Sequence, residues 1–153
     1  MLSLILGVFI QTTFSQDSTQ QNQLSQLLSN YYSIKDALVA DNATAASAKA
    51  QEFVKSLNTV DYKTISEGNI NALLKDATVI SESKELEKQR KQFSNFSDNM
   101  AALAKQLKLS SDPIYLQYCP MKKASWLNND KVIKNPYYGK AMLSCGEVVQ
   151  TIN

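Results

Sequence analysis

The chain has 153 residues, enough for one domain with one core, and carries a formal net charge of +2 with 20% charged residues. Its lysines are spread along the chain and Arg90 is the only arginine, so there is no basic face with arginine forks and no nucleic-acid partner is expected. Histidine is absent, which excludes Ser-His-Asp and Cys-His nucleophile systems and histidine-bearing zinc sites; any metal site must be built from sulfur and oxygen.

The chain opens on an apolar run, MLSLILGVFI over Met1 to Ile10, too short to span a bilayer. Polar and small residues follow to Ser15 and Gln16. This is the pattern of a signal peptide over residues 1–15 with cleavage near Ser15, the other reading being the first turn of a buried helix. The expected mature chain is a single domain over 16–153. It is periplasmic or otherwise exported, not inserted in the membrane after cleavage, and in a compartment that permits disulfides.

Between Gly7 and Pro113 the only glycine is Gly68, and all three prolines (Pro113, Pro120, Pro136) lie near the C-terminus. A stretch so free of breakers reads as helical. Leu24, Leu27, Leu28, Tyr31, Ile34 and Leu38 recur at three and four, predicting a first helix from about Ser18 to Ala40. Asp41-Asn42 supplies a stop and a new N-cap. A second helix then carries Ala46, Ala50, Phe53, Val54 and Leu57 on a thin, alanine-rich face. Asp61 to Asn69 reads as a connection, with Gly68 just ahead of a third helix bearing Ile70, Leu73, Leu74, Ala77 and Ile80.

A fourth helix begins near Lys84 and shows Leu86, Phe93, Phe96, Met100, Leu103 and Leu107. Ser81-Glu82-Ser83 is a weak break, so the third and fourth segments read as two helices or as one bent helix. KELEKQRK over Lys84 to Lys91 is a mixed-sign run and reads as a solvated face. Arg90 within it has two readings: an anchor for carbonyls of the C-terminal segment, or a solvated cation. The fold class is therefore mainly α, a three- or four-helix bundle.

From Ser110 the helical period fades, and residues 113–153 form a small, irregular β-containing C-terminal appendage. Ile114 to Cys119 alternates loosely as a strand does, and Asn135-Pro136-Tyr137-Tyr138-Gly139 carries turn signals. The appendage is too short to fold alone, so Trp126, Tyr137 and Tyr138 are assigned to packing on the helices rather than to ligand stacking.

Four sulfurs stand out in this segment. Cys119 and Met121 are two apart, which puts both on one side of an extended chain; Met142 and Cys145 are three apart, which does the same in a helical turn. Two thiols and two thioethers facing one another form a soft donor set that selects Cu(I) or Ag(I) over hard cations. Cys119 and Cys145 are also the only cysteines, and an exported chain favours joining them; such a bridge stabilises by roughly 3–4 kcal/mol. On the residues alone, staple and metal site both stay open. No acid, base or nucleophile constellation appears, so an enzyme is not expected.

YCPM at Tyr118 to Met121, Trp126-Leu127, NPYYGKAMLSCGEV at Asn135 to Val148, and QRKQFSNFS at Gln89 to Ser97 together resemble domain-of-unknown-function family 3347. The likeness runs from about Leu24 to Ile152. That family consists of small exported bacterial domains, found alone or fused to periplasmic adaptor subunits of copper and silver efflux systems. The Cys-Pro-Met element also looks like that of short heavy-metal-binding domains of copper transporters. The resemblance implies a Cu(I)- or Ag(I)-binding protein of metal resistance or homeostasis, with Cys119, Met121, Met142 and Cys145 as ligands. It implies a copper or silver efflux component, or another envelope protein, as partner. The alternative is an envelope interaction module without metal, stapled by a Cys119–Cys145 disulfide.

Overall fold

The computed structural model of the protein describes residues 13–153, with side chains from Asp17 onward. The leader expected over residues 1–15 lies almost wholly outside the described residues. Four helices come first: α1 (Thr13–Val39), α2 (Ala43–Leu57), α3 (Glu67–Glu82) and α4 (Leu86–Gln106). A three-stranded sheet follows, formed by β1 (Ile114–Cys119), β2 (Ala124–Asn128) and β3 (Glu147–Ile152), with a 3-10 turn over Gly139–Met142 between the last two. Among the described residues no helix is long and apolar enough to cross a membrane.

Helix ends fall where the backbone donors and acceptors are satisfied. At the end of α1, Asn42 N–H donates to the Ala37 carbonyl and Asp41 N–H to that of Leu38, the paired bonds of a Schellman stop. Asp41 occupies the left-handed position, φ 58°, that glycine usually fills. Asn42 then caps α2 by accepting from Ala45 N–H at 2.9 Å. Ser66 caps α3, so Gly68 lies inside its first turn instead of ahead of the helix. The third and fourth segments are two separate helices, because Ser83 is extended and ends α3. Buried Gln89 locks this junction by donating to the carbonyls of Ala43 and Ser83, both at 2.8 Å.

The apolar stripes read from the sequence meet in one core. Consecutive helices pack side by side, α1 on α2, α2 on α3 and α3 on α4. Tyr31 stacks on Phe93 (5.4 Å between centroids), and Phe53 meets Phe96 edge-on (4.8 Å). Aromatic pairs of this kind add about 0.5–1.5 kcal/mol to the burial of their surface.

The sheet is antiparallel in the order β2-β1-β3. β2 lies against α4, which explains why four of its five residues are buried, whereas β3 is exposed along nearly its whole length. Three side chains fasten the sheet to the bundle. The Tyr31 hydroxyl accepts from Leu127 N–H at 3.0 Å and bonds Ser97 Oγ at 2.7 Å. Lys35, buried and ion-paired to Asp36, donates to Asn128 Oδ1 at 2.6 Å. Tyr137 sits between Phe93 and Trp126, with centroids 5.9 and 6.0 Å away, and donates its hydroxyl to the Ser125 carbonyl. Trp126 and Tyr137 are thus packing residues, as expected of an appendage that cannot close a core alone.

Candidate functional site: a thiol pair at the end of the sheet

β1 ends at Cys119 and the chain reverses at once. Lys123 N–H closes the turn on the Cys119 carbonyl at 2.8 Å, with Lys123 in a left-handed conformation, φ 54°. This turn aims the amides of Met121 and Lys122 at the Cys119 sulfur. β3 enters beside β1, with Glu147 opposite Tyr118, which brings the residues just before it against the same end of the sheet. Cys145 is one of them. Its Sγ is 3.0 Å from Cys119 Sγ, and both cysteines are free thiols.

The two thiols are not equivalent. Cys119 is fully buried and Cys145 half-buried. Burial pushes the Cys119 thiol up, but hydrogen bonds from the Cys145 thiol, the Lys122 and Met121 amides and the Asn135 side chain outweigh it and hold Cys119 below the ordinary thiol range. Cys145 is raised, chiefly because it is the donor to Cys119, with burial and the neighbouring charge adding to the effect. Of the two, Cys119 is the thiol that gives up its proton first, and Cys145 is the one that keeps it.

Met121 stands in the reversing turn with its side chain 64% exposed. Met142 is half-buried at the end of the 3-10 turn, and its carbonyl accepts from Cys145 N–H at 3.2 Å. Of the four sulfurs read from the sequence, the structure brings the two thiols into contact; Met121 is exposed, and Met142 meets Cys145 through its backbone carbonyl and not through its sulfur.

Asn135 organises the segment carrying Cys145. It is fully buried; its Nδ2 donates to the Cys145 carbonyl at 2.7 Å, while its Oδ1 accepts from Tyr137 N–H at 2.8 Å and Tyr138 N–H at 3.2 Å. Its own N–H donates to the Leu143 carbonyl at 2.8 Å. The sequence marked Asn135 only as a turn residue; its role in holding the thiols depends on contacts ten and more residues away.

The same segment is clamped to the bundle by Arg90. Its Nε donates to the Pro136 carbonyl and its Nη2 to the Leu38 carbonyl, each at 2.8 Å. Nη2 also meets Asp41 Oδ1 at 2.5 Å, and the other oxygen of Asp41 accepts from Lys140 N–H at 3.3 Å. The Arg90 guanidinium beside Asp41 holds its carboxyl below the usual carboxylate range. Of the two readings of Arg90, the anchor is the one observed. Gly139 packs directly over this clamp in a left-handed conformation, φ 54°, where a Cβ would overlap the Asp41 carboxylate and approach Arg90 Nη2 to 2.5 Å.

Fold and site together define a mainly α domain, four helices carrying a small antiparallel sheet with a dithiol at its end. The family described as protein of unknown function (DUF3347) matches residues 27–112, and the chain belongs to it. That match runs from the middle of α1 through α4 and stops short of β1, so it is narrower than the likeness drawn from the cysteine-bearing motifs. No curated protein and no solved structure matches.

Proposed function

We propose that the protein binds a soft monovalent ion, Cu(I) or Ag(I), in an exported compartment, and captures or hands over that ion in metal resistance or homeostasis. The observation that carries the reading is the Cys119–Cys145 contact, with Sγ atoms 3.0 Å apart and Cys119 favoured as thiolate. Thiolates select Cu(I) and its heavier congener by softness. Two cysteine sulfurs in contact offer a monovalent ion two soft donors, with Met121 and Met142 as the thioethers nearest in sequence. The resemblance read from the cysteine-bearing motifs, which implies a copper or silver efflux partner, points the same way. The protein acts as a binder and not as a catalyst, and its partner is an efflux component or another envelope protein.

The test is an anaerobic Cu(I) titration of reduced protein, with a competing chelator, beside the Cys119→Ser, Cys145→Ser double variant. Tight binding by the wild type that the variant loses is expected. Equal, weak binding by both would sink the proposal.

The same contact favours one second reading, a structural disulfide in an envelope interaction module. Thiols this close need little movement to join, and a bridge would tie β3 to β1 across a segment with little regular structure. The thiol state of protein isolated from its native compartment under alkylating conditions separates the two. Alkylatable thiols with retained metal support the first reading, and a persistent disulfide without metal supports the second.

A further inference from the structure

The two sulfurs of the pair differ in how they can be reached. Cys119 ends the central strand of the sheet and belongs to the buried core, with none of its surface open to solvent. Cys145 is half-buried and packs only against the edge of that core. It lies in a surface segment, flanked by exposed Leu143, Ser144 and Glu147. With the Sγ atoms 3.0 Å apart, the pair joins with little movement of either chain segment.

A bridge opens when a thiolate attacks one sulfur and expels the other. The direction depends on which sulfur is accessible and on which one leaves as the more stable thiolate. Both criteria select the same direction here. An attacking thiol reaches Cys145 from solvent, whereas Cys119 has no exposed surface to attack. The sulfur expelled is then Cys119. It is received by the Met121 and Lys122 amides and the Asn135 side chain, the groups that already favour its ionised form. A bridge with one accessible sulfur and a stabilised leaving thiolate is of the labile kind, unlike an enclosed staple.

Resting on the metal-binding reading above, we propose that Cys119 and Cys145 are an exchangeable redox pair, whose bridge an external protein dithiol opens by attacking Cys145, making the ion site available. The dithiol's thiolate bonds to Cys145 Sγ as the Cys119–Cys145 bond breaks, and the electron pair of that bond leaves on Cys119 Sγ. The dithiol's second thiol gives up its proton, attacks its partner sulfur in the mixed disulfide and frees Cys145, which takes a proton. The dithiol ends as a disulfide. The pair gains two electrons and, once Cys119 is protonated, two protons. Bridged sulfurs have no thiolate to offer a soft ion, so oxidation closes the site and reduction opens it.

The experiment uses the unaltered full chain, bridged with diamide, and glutathione as the monothiol that traps the first step. After an acid quench, trypsin separates the two cysteines, because lysines from Lys122 to Lys140 lie between them. Glutathione is expected on Cys145 at least about ten-fold more than on Cys119, and the folded protein is expected to open within about ten-fold of its rate in urea. Glutathione on Cys119 or equally on both, or a bridge that opens only in urea, would overturn the proposal. In the anaerobic Cu(I) competition titration the bridged protein is expected to bind no ion, and to regain binding after treatment with dithiothreitol and its removal. Equal Cu(I) affinity of bridged and reduced protein would overturn the gate. Attack at Cys145 with no Cu(I) binding by the reduced protein would remove the metal reading and leave the exchange standing. Tight Cu(I) binding by reduced protein, with glutathione found on Cys119, would do the reverse.

Discussion

Replacing Gly139 by alanine strikes the junction between bundle and appendage without touching either thiol. Two costs arise. A non-glycine residue held at φ 54° costs about 1 kcal/mol or slightly more. The added Cβ also occupies space held by the Asp41 carboxylate and lies 2.5 Å from Arg90 Nη2, so the guanidinium must shift. That shift loosens its bonds to the carbonyls of Leu38 and Pro136, and each bond from a charged donor is worth about 1.5–3 kcal/mol. Losing one of them together with the backbone strain gives about 3 kcal/mol. At about 2–4 °C per kcal/mol for a chain of this size, the midpoint falls by roughly 6–12 °C. Gly68→Ala is the internal control: it sits in the first turn of α3 with nothing within 4 Å of the new methyl, and is expected to stabilise by up to about 1 kcal/mol. Thermal and urea unfolding, followed by far-UV circular dichroism and by the fluorescence of the single tryptophan, Trp126, measure both. A Gly139→Ala protein within about 0.5 kcal/mol of wild type would refute the clamp.

Tyr31→Phe removes the hydroxyl that receives Leu127 N–H and bonds Ser97, leaving a buried donor unpaired; a loss of about 1–3 kcal/mol is expected in urea unfolding. Asp41 has a depressed carboxyl pKa because of Arg90, so its contribution is present above the unfolded-state pKa and disappears as pH falls through the lower folded value. Asp41→Asn, which tolerates the left-handed backbone, should be less stable at neutral pH and should show a flatter acid limb in stability measured against pH. Cys119 is lowered and Cys145 raised, so the pair loses its protons one at a time; Cu(I) binding should release about two protons per ion below the range in which Cys119 ionises and about one between the two ranges. Weakly buffered titration with an indicator dye reads that number.

How much of this was legible in the sequence depends on the distance over which each feature is specified. The helices were legible because Leu27, Tyr31, Ile34 and Leu38, and likewise Phe93, Phe96, Met100 and Leu103, repeat with the helical period and are all buried. Boundaries were less so: Gly68 reads as a breaker, but the Ser66 cap extends α3 across it. β2 and β3 carried no clear alternation, because β2 is buried on both faces and β3 on almost none. The thiol pair was legible from composition and spacing. Its support was not: Asp41 read only as a helix stop, and Asn135 only as a turn residue. Their partners, Arg90 and Cys145, lie 49 and 10 residues away and are set by packing.

The central claim is that Cys119 and Cys145 hold one soft ion together, and the shell of donors around that ion tests it most directly. Copper K-edge X-ray absorption on anaerobic protein loaded with one equivalent of Cu(I) should show a shell made only of sulfur. The Cys119→Ser, Cys145→Ser protein should fail to retain the ion after desalting. A shell containing nitrogen or oxygen, or a sulfur shell that survives the double substitution, would contradict the account.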